Sequence, residues 1–267
     1  MADQAANPVR MAEISWPAFK AAMQARTPIL IPVGATEQHG PHLPLSTDVL
    51  LPTGVAERVA EQVGALVAPP IAYGYKSQAR SGGGEAFPGT TSLSLNTLVL
   101  LLRDVMISLA RHGARRLVLV NGHVENAWAE IEAIDLALTE LRRDGISDME
   151  VLRLDFYEFV EMETLHRLFP AGYPGTDLEH ASLLETSLML ALHPHLVALD
   201  KVPTDGPGQF PLYDRWPEPA GYVPPSGVLA RAEGASPEKG EWLLADHVRL
   251  IADILMREFD LSQEKTR

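Results

Sequence analysis

Two carboxylates and two imidazoles fall within twelve residues in Glu37-Gln38-His39-Gly40-Pro41-His42, closing on Asp48. Carboxylates and imidazoles are the ligands that Zn²⁺ and Mn²⁺ take from a protein. The cluster follows the apolar run Ile29-Leu30-Ile31-Pro32-Val33, which reads as a buried strand. Open α/β sheets place their active sites at the carboxyl ends of such strands. A second group, His123-Val124-Glu125, follows the apolar run Arg116 to Val120 in the same way, and a third, Asp177, Glu179 and His180, lies in a loop.

His-x-Glu beyond a strand puts both side chains on one side of extended backbone, because side chains alternate with a period of two. Glu37 and His39 repeat that spacing in reverse order. Each strand exit therefore offers one carboxylate and one imidazole, and Asp48 adds a fifth ligand. Two ions, each held by one His and one carboxylate and bridged by a shared Asp, leave positions open for water, as two-metal hydrolytic sites do. A lone loop histidine is usually a surface or hydrogen-bonding residue, so the reading rests on the coincidence of two pairs with Asp48. His42, flanked by prolines, is read as a packing or hydrogen-bonding residue. His112, His166, His193, His195 and His247 sit in or beside predicted helices and are read as structural or exposed.

The elements that must position these groups follow from periodicity. Ser15 is expected to cap a helix running to about Arg26, with Pro17 in its first turn. Thr27 to Ala35 is the first strand and its exit. Asp48 opens a helix to about Val63, stopped by Gly64, with Val55, Val59 and Val63 at helical spacing. Ala65 to Ala68 reads as a short strand. Tyr73 to Thr91 is a long polar loop, and loops of that length inside a domain are usually functional. Its Ser81-Gly82-Gly83-Gly84 lacks the strand–loop–helix setting and the Lys-Ser/Thr ending of a phosphate cradle. Asn96 is expected to cap a helix over Thr97 to His112. Arg116 to Val120 is the central strand, followed by a helix from about Ala127 to Arg142 and a strand over Val151 to Leu154. Phe156 to Phe169 and Ala181 to Leu192 read as helices. Residues 194–235, rich in proline, are left irregular, with an edge hairpin or a subunit contact as options, and Ser236-Pro237 starts a last helix to about Phe259. Alternating strands and helices predict an α/β fold, a mostly parallel sheet with helices on both faces. With no internal repeat or flexible linker, one domain over 1–267 is expected, after a loose tail over residues 1–12.

Composition narrows the function. A 267-residue chain with 46% hydrophobic residues can bury a sizeable core. Its net charge of −13 argues against a nucleic-acid partner, which would want a basic face. There is no cysteine, so a metal must be held by His, Asp and Glu. No apolar run is long enough to span a membrane, and no leader is evident, so a cytoplasmic location is expected.

The same residues carry a family resemblance. Gly34-x-x-Glu37-Gln38-His39-Gly40-Pro41-His42-Leu43-Pro44 with Asp48, and Asn121-Gly122-His123-x-Glu125-Asn126, resemble the creatininase family of metal-dependent amidohydrolases. So do Tyr73-Gly74-Tyr75-Lys76-Ser77, Ser81-Gly82-Gly83-Gly84, Phe87-Pro88-Gly89-Thr90-Thr91-Ser92, Asp177-x-Glu179-His180 and Glu185-Thr186-Ser187. The resemblance implies a three-layer α/β/α sandwich and two divalent ions per chain, zinc or manganese. Glu37 and His123 would hold one ion, His39 and Glu125 the other, and Asp48 would bridge them. Ser81, Val124, Thr176, Asp177 and His180 would line the substrate pocket. The implied reaction is hydrolysis of a C–N bond in a small cyclic amide, creatinine to creatine being the prototype. A metal-bridging hydroxide would attack while His180, oriented by Asp177 or Glu179, delivers a proton; Glu125 could share the proton handling. The resemblance also implies a homo-oligomer, usually a hexamer.

The chain departs from the family members that act on creatinine, which carry aromatic side chains at the positions of Val124 and Thr176 and a Trp at that of Tyr157. Fewer aromatic walls mean less stacking and a larger pocket. Other readings are therefore another lactam, cyclic urea or formamide, a peptide-trimming activity, or a silent binding or assembly subunit.

Overall fold

The computed structural model describes residues 9–173, 175 and 179–261. Its sheet has four parallel strands, β1 (Ile29–Val33), β2 (Leu66–Val67), β3 (Arg116–Asn121) and β4 (Glu150–Asp155), in the order β2-β1-β3-β4. The helices are α1 (Trp16–Gln24), α2 (Thr47–Val63), the short α3 (Ala79–Gly82), α4 (Leu95–Arg111), α5 (Asn126–Arg143), α6 (Met162–Leu168), α7 (Leu183–Leu192) and α8 (Pro237–Glu258).

Strand alternation builds two cores. Ile29, Ile31, Leu117 and Leu119 point to one face, where they meet Leu98, Leu102 and Met106 of α4 and Ala129, Ala133 and Leu141 of α5. Leu30, Val118, Val120 and Leu154 point to the other, against Val55 and Val59 of α2, Leu188 of α7 and Leu243 and Ile251 of α8. β1 and β3 are buried along their whole length, as strands covered on both faces must be. The expected α/β/α sandwich is thus the fold observed.

Chain order explains where function sits. β1 pairs with β2 on one side and β3 on the other, so the connections leave in opposite directions and open a crevice at the strands' carboxyl ends. The N-terminus of α2 drops into that crevice. Gly34, just past β1, and Gly122, just past β3, make this possible, since a Cβ at either would lie 2.4 or 2.5 Å from the Asp48 carbonyl oxygen. Pro52 has no N–H to donate to that carbonyl, so helix and strand ends meet backbone to backbone. Gly34→Ala is expected to cost about 1–3 kcal/mol of stability by overpacking and to weaken metal binding by pushing Asp48 outward. A denaturant titration beside a metal titration checks this; unchanged metal affinity would detach Asp48's position from the close approach.

Several boundaries differ from expectation. α4 starts at Leu95, capped by Ser94 rather than Asn96. Phe156–Phe169 is not one helix: a single turn over Phe156–Glu158 buries Phe156, and α6 begins only at Met162. α7 begins at Leu183 because Ala181 has φ 55° and Ser182 is extended. From residue 9 onward the expected tail is tied to the sheet, Val67 N donating to Val9 O at 2.8 Å and Arg10 pairing with Glu57. Residues 194–235 hold two short turns, Pro194–Leu196 and Leu199–Lys201, and no hairpin strand is found among the described residues there.

Candidate metal centre

Three elements converge on the crevice. The loop after β1 carries Glu37, Gln38 and His39, the first turn of α2 carries Asp48, and the exit of β3 carries His123 and Glu125; all six side chains are buried. Asp48 lies between the two imidazoles, its Oδ1 3.0 Å from His39 Nε2 and its Oδ2 3.2 Å from His123 Nδ1. Glu37 Oε2 is also 3.2 Å from His123 Nδ1.

The second nitrogen of each imidazole is tied to backbone. His39 Nδ1 donates to the Glu37 carbonyl at 3.2 Å, and His123 Nε2 donates to the Tyr75 carbonyl at 3.0 Å. Those bonds fix the tautomers, so His39 Nε2 and His123 Nδ1 present lone pairs to the carboxylates. Lone pair against carboxylate is repulsive unless a proton or a cation stands between. The electrostatics say the same. Burial opposes a charged imidazolium, yet Asp48 and Glu185 hold His39 well above the usual histidine range, and Glu37 and Glu125 do so for His123. Burial likewise opposes the Asp48 carboxylate, but His39 and His123 pull it far below the ordinary range. Burial pushes Glu37 up to about 7. Glu37 Oε1, His39 Nε2 and Asp48 Oδ2 are buried without a hydrogen-bond partner. Orphaned buried polar atoms are rare in native proteins. Nitrogen and oxygen donors of this kind suit zinc or manganese.

Among the described residues, three groups have ligand atoms within 4.8 Å of one another: Glu37 with Asp48 and His123, His39 with Asp48 and Glu185, and Glu37 with His39 and His180. Asp48 belongs to two of them. Glu185, part of a motif quoted from the sequence, was given no ligand role there. It sits in the first turn of α7, its Oε2 3.7 Å from His39 Nε2 and accepting from Ala181 N at 2.5 Å. Glu125, paired with His39 in the sequence reading, instead faces His123 Nε2 at 3.3 Å, and its other oxygen accepts from Gln78 N at 2.7 Å and from the Ser81 hydroxyl.

His180 is buried beside the cluster, its ring 4.3 Å from that of His39. Burial, and then the charge of His39, holds it well below the usual range, so it is neutral here. Its Nε2 donates to the Gln38 carbonyl at 2.9 Å, leaving Nδ1 4.0 Å from Glu37 Oε2. Gln38, unassigned in the sequence reading, also donates through its amide to Gly82 O and Gly227 O, both at 2.9 Å, clamping three loops together. Glu179 does not orient His180; its carboxylate accepts from Ser182. Thr176 and Asp177 lie outside the described residues.

The long loop after β2 works as backbone. It supplies the Tyr75 carbonyl to His123 and the Gln78 N–H to Glu125, while Gly82 packs so close to Glu37 that a Cβ there would lie 1.8 Å from Oε1. Asn126 ties this loop to β1, accepting from Tyr75 N at 2.9 Å and donating to Gly34 O at 3.1 Å. Asn121 accepts from His123 N at 3.1 Å and donates to Asp155 at 2.8 Å. His42 is not at the cluster's centre: its Nε2 pairs with Thr186 Oγ1 at 3.0 Å, and burial holds it near 4.

A cavity opens onto these groups, lined by Glu37, Asp48, Ser81, His123, Glu125 and His180. Val124, half exposed, stands on its wall, as does Tyr157. No helix among the described residues is long and apolar enough to cross a membrane.

Comparison with known proteins agrees with the geometry. The model of the Creatininase family, described as creatinine amidohydrolase, matches residues 12–255. The chain is 50% identical to the creatinine amidohydrolase of Pseudomonas putida over 253 residues, 94% of this chain and 97% of the relative. It is 35% identical to the mycofactocin precursor peptide peptidase of Mycolicibacterium smegmatis over 239 residues, 86% of this chain and 84% of that one. A solved structure described as "Creatininase Mn" superposes with a TM-score of 0.93 at 49% identity, covering 95% of this chain and 99% of that chain.

Proposed function

The chain belongs to the creatininase family, and from that membership we propose that it is a metal-dependent amidohydrolase opening a small cyclic amide, with creatinine as its substrate and creatine as the product. The observation that carries the reading is Asp48, one carboxylate oxygen facing His39 and the other His123, amid buried atoms that no protein group satisfies. Glu37, Asp48 and His123 would hold one divalent ion. His39 and Asp48 would hold a second, with either Glu125, on the family resemblance, or Glu185, which shares a group with them, as the further carboxylate. The ions, zinc or manganese, would acidify water and polarise the substrate carbonyl.

The remaining work falls to the chain's own side chains. Water adds its oxygen to the ring carbonyl carbon, the C–N bond breaks, and the ring nitrogen leaves with a proton. His180 is neutral and presents Nδ1 to the cluster, so it takes the proton that water gives up and passes it to the departing nitrogen. Its depressed affinity for protons favours the second transfer. The Gln38 carbonyl holds the ring in that tautomer. Ser81 and the Gln78 N–H fix Glu125. Val124 lines the substrate's path, and Thr176 and Asp177 remain proposed pocket residues on the family resemblance. The relative of similar coverage that trims a peptide supports a second reading, a linear amide as substrate. Trp128 and Ile131, exposed on α5, support a homo-oligomer, a hexamer by family resemblance.

Chelation tests the reading. Prolonged dialysis against a chelator is expected to abolish creatinine hydrolysis, and Mn²⁺ or Zn²⁺ to restore it. Activity that survives removal of bound metal would remove the metal from the reaction. Restored activity on linear amides alone would favour the second reading.

A further inference from the structure

We propose that Gln38 is a positioning residue for the proton transfer: its side-chain amide joins His180 and the Ser81 loop to the proline-rich stretch over residues 204–229, and turnover depends on it through His180. The inference rests on the amidohydrolase reading, with His180 as the proton carrier.

Gln38 is buried and is not among the residues that line the cavity, so it reaches a substrate only through its neighbours. Its backbone N donates to Thr90 Oγ1 at 3.0 Å. Its carboxamide has one orientation, because Oε1 accepts from Gly40 N at 2.9 Å. Nε2 then lies 2.9 Å from each of three atoms, Gly82 O, Gly227 O and His180 Nε2. A primary amide carries two hydrogens. The two carbonyls can only accept, and they take both. No hydrogen is left for His180 Nε2, which must itself be the N–H and donates to the Gln38 carbonyl at 2.9 Å. The lone pair stays on Nδ1, the nitrogen on the Glu37 side. The side chain of Gln38 thus excludes the other tautomer, the one in which Nδ1 could not take a proton from water.

The carboxamide also sets distances. Gly82 follows Ser81 directly, so the bond to its carbonyl ties the Ser81 side of the cavity to His180. Glycines make the close approach possible: a Cβ at Gly83 would lie 2.8 Å from Nε2, and one at Gly227 would overlap Oε1. The stretch beyond Gly227 adds a second hold, Leu229 N donating to the His180 carbonyl at 3.3 Å. That stretch is closed on itself, with Gly208 N donating to Leu229 O at 2.8 Å and Ser226 N to Asp205 at 3.0 Å. A segment without strand or α-helix therefore braces the imidazole, and Gln38 is the side chain through which it does so.

Three variants of the Zn²⁺-loaded protein test this by kcat and KM on creatinine, below their melting temperatures. Gln38→Met keeps the length of the side chain and removes its hydrogen bonds. Gly227→Ala displaces the carboxamide without altering it. Each is expected to lower kcat about 10–100-fold, the scale of an ångström-level misplacement, with KM and metal content unchanged. Gly221→Ala is the control for a general loosening of the stretch: Gly221 has φ 92° and open space around it, so this variant should lose stability and keep kcat within about twofold. In a His180→Gln background, Gln38→Met and Gly227→Ala should each cost less than about twofold, because residues that act as one unit do not add. Equal losses in both backgrounds would make Gln38 a structural residue and overturn the proposal, as would kcat unmoved by both variants in the parent. Nitrogen-15 shifts of the His180 ring give a readout independent of turnover. Nε2–H alone is expected in the parent, and Nδ1–H would overturn the proposal. A metal-loaded parent that shows Nε2–H but leaves creatinine intact would support the arrangement around Gln38 and remove the reaction.

Discussion

Asp48→Ala is expected to release metal from both positions of the cluster and to lower creatinine hydrolysis by about a thousandfold or more, the order of a lost metal function. The reason is geometric. One oxygen of Asp48 faces His39 Nε2 at 3.0 Å and the other faces His123 Nδ1 at 3.2 Å, so a single side chain serves both halves. Its charge also matters in the metal-free protein. Burial works against the carboxylate, but His39 and His123 keep it ionised, and removing one partner of a buried ion pair commonly costs about 3–5 kcal/mol. The melting temperature should therefore fall even without metal. Asp48→Asn keeps the shape and separates the two effects: it loses the charge but not the volume. Elemental analysis decides the matter, since two metals per chain retained by Asp48→Ala would sink the bridging role.

His180→Gln should give the opposite pattern, with metal content unchanged and turnover reduced about 10²–10⁴-fold, the usual range for a lost general acid–base. Gln can reproduce the hydrogen bond to the Gln38 carbonyl, so the loop should stay in place. It cannot carry a proton. The loss should appear in kcat more than in KM, because the proton moves as the C–N bond breaks. His180 also lies within ligand distance of Glu37 and His39, and reduced metal content in this variant would recast it as a ligand. Activity within a few-fold of the parent would remove it from the proton path.

Residue types and their spacing were enough to pick out the carboxylates and imidazoles that meet in the crevice. Glu37, His39, Asp48, His123 and Glu125 come together because they follow two adjacent strands, and Ile29–Val33 and Arg116–Val120 are legible as strands from their apolar runs. The supporting groups were harder to see, for a physical reason. The Tyr75 carbonyl, the Gln78 N–H and the Gln38 carbonyl are backbone, and any residue type offers them. Glu185 reads as an ordinary first-turn helix carboxylate until tertiary structure brings it to His39. His247 was read as structural or exposed, and its bond to Phe159 is indeed structural. Helix ends slipped where local backbone overrode pattern: Ala181 at positive φ delays α7, and burial of Phe156 breaks the expected run before α6.

The most direct measurement is steady-state creatine formation from creatinine by the purified chain, with bound metal counted on the same sample. Creatinine opening that rises in proportion to bound Mn²⁺ or Zn²⁺ is the predicted result. A fully metal-loaded chain that leaves creatinine intact would contradict it.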